Sequence, residues 1–428
     1  MTSSAETRRI DLPYGDETVS VDIPASNLRS ILSPNAIPGV ESLDAEIQRA
    51  LSQPIEAPLL RDAARDAGQV LIIADDMTRL TPVDRIIPHV LDELNLAGVR
   101  DEQVTVMIAL GTHRPMTEVE IQQRFGDPVL SRVNVINSPW QDPEQMQDLG
   151  YTEHGTPISI ARMAIDADIV IGLGSIVPHH IPGFSAGAKI VQPGISGAAT
   201  TGATHFLSTR TRRSYLGLVE NVIRHEMETI ADLIGLTAVL NTILNQDGEV
   251  VAAVYGDHRA AFRRGVEHSQ SVYGVTFPEQ ADIVIASSYP CDIEFWQAHK
   301  TLYPADIAVR EGGTIIVLTP CPEGVSVTHA DMLDITALDA DTIESMIERG
   351  DMHDVVSGGL ALAWARIRER ADVSLVSHGI TDHDARSLAF TPFASVDDAL
   401  NAALGKYGKD ATINVLTHAP DLLPILDQ

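Results

Sequence analysis

Two cysteines, Cys291 and Cys321, are all that 428 residues contain. A disulfide framework is not implied, and a reducing compartment is expected. So few thiols also cannot build a thiolate-rich metal site. Any transition metal would lean on histidine, on carboxylate, or on sulfur brought by a cofactor. Long apolar runs are missing as well: no uninterrupted stretch of about 18 residues occurs, which argues against a membrane span. The opening segment MTSSAETRRIDLPYGDE lacks the apolar centre of a secretory signal, so a cytoplasmic location is expected. Basic residues are few, 30 against 59 acidic ones, for a formal charge of −29. With no basic footprint, a nucleic-acid partner is not expected. The acidic surplus reads as a solubility surface. An anionic substrate would then need a few local cations to hold it against the overall field.

The length points to two domains, because a single core rarely organises so many residues. No internal repeat or low-complexity segment is visible. After a β-rich start, strand, loop and helix alternate. Residues 70–74 form a short apolar run fit for a buried parallel strand, followed by the polar loop Asp75-Asp76-Met77-Thr78-Arg79. Thr81-Pro82 is then expected to open a helix, with Thr81 as its cap. Residues 104–110 repeat the unit, with Gly111-Thr112-His113-Arg114-Pro115 as the loop and Thr117-x-x-Glu120 as a capping box. Residues 168–173 give a third strand, running into a long loop over 174–197. Asn245-Gln246-Asp247-Gly248 signals a hairpin. A second α/β series is expected from residue 281, with strands near 314–318, 373–376 and 413–416. The fold class is therefore α/β, with largely parallel sheets. The boundary falls near residue 275, giving domains 1–275 and 276–407. Ligands in such sheets sit beyond the carboxyl ends of strands, where all three polar loops lie.

Those loops carry the candidate chemistry. His113, beside Arg114 at a strand end, suits an acid or base next to an anion site, and a merely capping histidine is the competing reading. The loop Pro178-His-His-Ile-Pro-Gly-Phe-Ser-Ala-Gly-Ala-Lys189 concentrates His179, His180, Gly183, Ser185, Gly187 and Lys189. Its glycines allow a tight path with free amides for a phosphate. Lys189 offers a cation or a nucleophilic amine. The loop is neither a P-loop nor a dinucleotide fingerprint. Arg79 can grip a carboxylate bidentately, or serve in a surface ion pair. Gln297 and Lys300 share a helical face, with Trp296 close by. That face fits either a substrate cover or an exposed helix over a buried tryptophan. Trp364 is equally a pocket aromatic or core. His205 alone reads as structural, and gains interest only beside the preceding loop.

Together, Asp76-Met-Thr-Arg79, Gly111-Thr-His-Arg-Pro115, the 178–189 loop, His205 and Trp296-Gln-Ala-His-Lys300 resemble the nickel-dependent lactate racemase family. The resemblance spans most of the chain. It implies two α/β domains with the site in the cleft between them, and the extreme C-terminus, 408–428, returning to the first. It also implies a nickel-pincer nucleotide, a pyridinium mononucleotide whose carbon and two sulfurs bind nickel. Lys189 matches the lysine that can join the cofactor covalently, and His205 the nickel ligand. Asp76, Arg79, Gly183, Ser185 and Gly187 fall to cofactor binding, and Arg79, Trp296, Gln297 and Lys300 to the substrate. His113 and His179 match the catalytic pair. The implied reaction is racemisation or epimerisation of a 2-hydroxy acid: one histidine takes the hydroxyl proton while hydride moves to the pincer, and the keto acid reorients and receives hydride on its other face. Upstream proteins that build the cofactor are implied partners. Two positions depart from the family. Trp296 stands where a tyrosine is expected, which puts lactate itself in doubt and favours a larger or more polar acid. Ala186 stands where a glycine is expected. The alternatives are an enzyme using NAD(P) or another ordinary nucleotide, and a non-catalytic protein that binds the nickel cofactor.

Overall fold

Val70–Asp75 is buried at every position, as an unbroken apolar run requires of a central parallel strand. Successive side chains leave a strand on opposite faces. Leu71 and Ile73 accordingly join one apolar layer, while Val70, Ile72 and Ala74 join the other. The computed structural model describes residues 6–211 and 213–427. Around this strand stands a six-stranded sheet in the order Val250–Gly256, Leu236–Leu244, Ile169–Ser175, Val70–Asp75, Val104–Ala109, Asn134–Asn137. Its neighbours are parallel except for the hairpin joining Leu236–Leu244 to Val250–Gly256, turned through Asn245 to Gly248.

Helix Glu118–Leu130 starts with the expected capping box: Thr117 Oγ1 accepts the Glu120 amide at 3.3 Å, and Glu120 Oε2 accepts the Thr117 amide at 2.7 Å. Helix Val83–Leu96 starts differently. Thr81 does not cap it; its hydroxyl donates to Asp75 Oδ2 at 2.6 Å, and Pro82 takes the cap position. A buried carboxylate short of donors outbids an exposed helix amide that water can satisfy.

The second sheet also has six strands, all parallel, in the order Thr391–Phe393, Ala371–Val376, Val309–Leu318, Ala281–Ser287, Ile413–Leu416, Leu28–Leu32. The hairpin of Thr7–Tyr14 with Glu17–Pro24 lies over it, packing Ile10, Leu12, Val21 and Ile23 against Ile283 and Ile285. Sheet membership therefore does not change at one residue near 275. Residues 7–32 cover and extend the second sheet. Within 408–428, Ile413–Leu416 pairs in that same sheet rather than the first, and Leu423–Leu426 pairs with Gly274–Phe277.

The two domains share one apolar core, in which Phe184 and Phe262 of the first meet Phe295, Leu302 and Trp364 of the second. Trp364 is core. Helix Ala198–Ser208, which carries His205, crosses helix Val355–Arg368 at small residues: a Cβ on Gly359 would stand 3.0 Å from the His205 Cβ. That close crossing fixes where His205 points. Among the described residues, no helix is long and apolar enough to cross a membrane.

Candidate active site

Beyond the carboxyl ends of Val70–Asp75, Val104–Ala109 and Ile169–Ser175, facing helix Phe295–Ala298, opens a cleft of ≈ 910 Å³. Asp76, Arg79, His113, His179, Ser185, Lys189, His205, Trp296, Gln297 and Lys300 all line it. Two expected cofactor residues do not. Gly187 turns its amide to Asn241 Oδ1 at 3.2 Å, and its missing Cβ leaves room for the Phe262 ring 2.9 Å away. Gly183 has φ +83°, and a Cβ there would collide with the Leu218 carbonyl at 1.9 Å. Both glycines make room for the protein's own chain inside the first domain, and neither lines the cleft.

His113 sits in a directional chain. Its Nδ1 is 2.6 Å from Asp76 Oδ2, and its Nε2 is 2.8 Å from Gln297 Nε2. Burial opposes ionisation of Asp76. The His113 ring outweighs it, together with bonds from His113 and Thr78 and the charge of Arg79, and the carboxyl is held well below the usual range. An ionised Asp76 accepts the Nδ1 proton, so Nε2 carries a lone pair and the Gln297 amide donates to it. The other end of Gln297, Oε1, accepts from Lys300 Nζ. Burial and the nearby Arg79 lower Lys300 to about 8.

His179 is set the opposite way. The Ile181 amide donates to its Nδ1 at 3.2 Å, which leaves the proton of the neutral ring on Nε2. Burial, then the charges of Lys189, His180, Lys300 and Arg79, push its pKa well below the ordinary histidine value. The loop around it is rigid for reasons the sequence did not display. Arg224, 1% exposed, donates to the Ala186 carbonyl at 3.1 Å and to the Phe184 carbonyl, with its guanidinium 4.0 Å above the Phe262 ring. Ser185 lines the cleft, but its hydroxyl is engaged: it donates to the Ser175 carbonyl at 2.6 Å and accepts the Val177 amide at 2.9 Å.

His205 Nδ1 donates to the Thr201 carbonyl at 2.7 Å, so Nε2 keeps its lone pair on the cleft side. Burial lowers its pKa to about 4, so the ring stays neutral at ordinary pH. Among the described residues, Lys189 has no hydrogen-bond partner for its amine. Burial, followed by Arg79, Lys300 and Arg224, pushes it well below the ordinary lysine range, toward the nucleophilic free amine. Arg79 makes no side-chain hydrogen bond or ion pair among the described residues either, which leaves its guanidinium available to an anion in the cleft. Of the chain's four lysines, Lys189, Lys300, Lys406 and Lys409, two are thus in the cleft.

Several residues of the site escaped sequence reasoning. Thr112 and His299 line the cleft, and His299 bonds the Trp296 carbonyl at 2.8 Å and faces His180. His329 stacks on Trp296 with centroids 3.8 Å apart. Asp421 lines an adjoining cavity that shares Thr78, Arg79 and Ser175 with the first. Burial lifts it to about 6 against the pull of Arg79 and Lys300. Thr112 and His299 lie inside the 111–115 and 296–300 motifs without standing out there, whereas His329 and Asp421 sit in no local motif and only the fold gathers them. Among the described residues, no group of three or more histidine, cysteine or acidic side chains could hold a metal unaided.

Comparison with known proteins places this geometry. Residues 14–217 match the family model for the lactate racemase N-terminal domain, and residues 277–421 that for the lactate racemase C-terminal domain. The lactate racemase of Thermoanaerobacterium thermosaccharolyticum is 28% identical over 416 residues, covering 95% of this chain and 97% of that protein. The lactate racemase of Lactiplantibacillus plantarum is 26% identical over 426 residues, covering 97% and 99%. The solved structure of the lactate racemase apoprotein from T. thermosaccharolyticum superposes with a TM-score of 0.87 at 26% identity, covering 98% of this chain and all of that one. A Thermotoga maritima protein of 19% identity shares the fold, with a TM-score of 0.71 over 90% of this chain and 98% of its own.

Proposed function

The chain belongs to the lactate racemase family and is an isomerase, and on that premise we propose that it inverts the configuration at C2 of a 2-hydroxy acid with the help of a nickel-pincer nucleotide held in the cleft. The observation that carries the reading is the Asp76–His113 pair, whose Nε2 is preset as a proton acceptor in a cavity that also holds His179, Lys189 and His205.

The residues present fit such a cofactor. His205 offers an unshared Nε2 lone pair, the form in which imidazole binds a metal. Lys189 offers an unpartnered amine of depressed basicity, suited to joining a thioacid group. The described residues supply no three-ligand cluster, so soft sulfur from the cofactor would complete the coordination. When bound, the group supplies a hydride acceptor and donor for C2. Every other task falls to the protein. Arg79 and Lys300 hold the substrate carboxylate. His113 Nε2 takes the hydroxyl proton of one enantiomer, and His179 that of the other with its own ring proton moved to Nδ1. Burial of the cleft by both domains keeps water from the keto acid.

Metal analysis with intact mass tests this, on protein produced alongside the proteins that build the cofactor. One nickel per chain, with an adduct mapping to Lys189, is the expected result. His205→Ala should release the nickel while leaving the adduct. Neither nickel nor adduct would replace this reading with that of an ordinary nucleotide enzyme.

A further inference from the structure

A second Asp–His pair stands behind the wall of the cleft, and it points the other way across the domain boundary. His329, 4% exposed, has Nδ1 2.6 Å from Asp354 Oδ2 and Nε2 3.0 Å from Thr112 Oγ1. Asp354 also accepts the Val356 and Ser357 amides at 3.0 and 3.2 Å on Oδ1 and the Ser357 hydroxyl on Oδ2. A carboxyl receiving so many donors is ionised, and it takes the Nδ1 proton of His329. Nε2 then presents a lone pair, and the single Thr112 hydroxyl proton is committed to it. The Thr112 backbone is held too, since Thr328 Oγ1 donates to its carbonyl at 3.1 Å. The same His329 ring lies flat against Trp296, at 3.8 Å and 18°. One buried residue thereby fixes two side chains that line the cleft, one from each domain.

We propose that Asp354 and His329 are positioning residues that make Thr112 Oγ1 a pure hydrogen-bond acceptor on the cleft wall, where it recognises a hydroxyl carried beyond C2 of the substrate. The inference rests on the racemase reading. In that reading the C1 carboxylate goes to Arg79 and Lys300, and the C2 hydroxyl to a catalytic histidine. The remainder of the acid meets the wall made by Thr112 and the Trp296 plate. A committed acceptor beside an apolar plate suits a C–H face with one hydroxyl. It disfavours a second carboxylate, which would bring its own acceptors against Thr112. The substrate class is a 2,3-dihydroxy or longer polyhydroxy acid.

Glycerate and lactate differ by this one hydroxyl and make the matched probes for nickel-loaded protein. Thr112→Val should raise the KM for glycerate about five- to tenfold more than that for lactate, the worth of one hydrogen bond. Asp354→Asn is the sharper test. Its Oδ1 can keep capping the helix, while its amide nitrogen donates to His329 Nδ1, drives the ring proton to Nε2 and turns the relay around. It should shift the glycerate-to-lactate KM ratio in wild-type protein but add nothing in a Thr112→Val background. Nitrogen-15 shifts of His329, assigned with His329→Gln, should report an Nδ1 proton in the wild type and an Nε2 proton in Asp354→Asn. An Nε2 proton in the wild type, or an unchanged KM ratio in Thr112→Val, overturns the proposal. If the loaded wild type racemises neither acid, the substrate class falls, while nickel and the Lys189 adduct still judge the racemase reading and the histidine shifts still decide the relay.

Discussion

His113 and His179 reach the same cleft from loops of different character. The His113 loop is tied across the domain boundary at three successive residues. Thr112 bonds His329 and Thr328, His113 bonds Gln297, and Arg114 pairs with Glu323 at 2.8 Å. The His179 loop is hydrogen-bonded within the first domain, by Arg224 and by the Ser185 hydroxyl, and meets the second where His180 stacks on Tyr303 at 3.8 Å. Their ring protons differ as well, with the lone pair on His113 Nε2 and the proton on His179 Nε2. His113 presents an acceptor nitrogen held by bonds across the domain boundary. His179 presents an N–H held chiefly by bonds inside the first domain.

The largest expected effect tests whether His113 acts as a base. His113→Ala should lower kcat/KM by about 10²–10⁴, with nickel content unchanged. Retained nickel separates loss of chemistry from loss of cofactor. Enantiomers have equal free energies in solution, so kcat/KM must fall equally in both directions. The asymmetry appears instead in a single turnover: rapid quenching should find keto acid formed from one enantiomer more impaired than from the other. Equal impairment would break the comparison. Asp76→Asn comes next, with a fall of about 100-fold, the low end of what a positioned base contributes. The His113 ring remains, but the group that fixes its proton is gone. If Asp76→Asn were silent, the preset lone pair would have no catalytic meaning.

A smaller effect separates the relays by pH. Lys300 closes the His113 chain through Gln297, and burial lowers it to about 8. Lysine is charged below its pKa, so its hold on a carboxylate weakens as pH rises through that value. The kcat/KM profile, which reports the free enzyme, should bend downward near pH 8, by up to about tenfold per unit. Lys300→Arg should carry the bend out of range. His179 and His205 are already neutral there and add no limb. A bend that survives Lys300→Arg would assign it to another group.

Much of this was legible because it is local. The strand at Val70–Asp75, the Thr117–Glu120 box and the hairpin at Asn245 each depend on neighbours within a few residues, and the cleft followed from three strand ends. What the sequence hid is what distance assembles. His329 is separated from Thr112 by 217 positions. Arg224 meets the 178–189 loop through carbonyls that have no sequence signature. Thr81 looked like a cap because the helix supplies an obvious donor, whereas the carboxylate that claims it comes from the preceding strand. Gly183 and Gly187 suggested a phosphate cradle, because a missing side chain looks the same whether a ligand or the protein fills the space. Leu218 and Phe262 fill it. The scarcity of lysine was a usable signal: two of four cluster in one site.

The smallest effect concerns why the His179 loop is rigid. Ala186 has φ 60° and ψ −160°, a region open essentially to glycine, at a cost of about 1–3 kcal/mol. Ala186→Gly releases that strain. It also exposes the loss of one buried methyl, about 0.8 kcal/mol, and gives the unfolded chain more freedom, about 0.5–1 kcal/mol. The opposing terms largely offset one another, so the unfolding free energy from urea titration should move by less than about 2 kcal/mol. Ala186→Val keeps the strained backbone and adds β-branching to it, and should lose clearly more. Arg224 bonds the Ala186 carbonyl directly, so the backbone has an anchor that does not depend on the methyl. If Ala186→Gly lost as much stability as Ala186→Val, the methyl and not the arginine would be holding the loop, and the contrast between the two histidine loops would rest on side-chain packing rather than on buried hydrogen bonds.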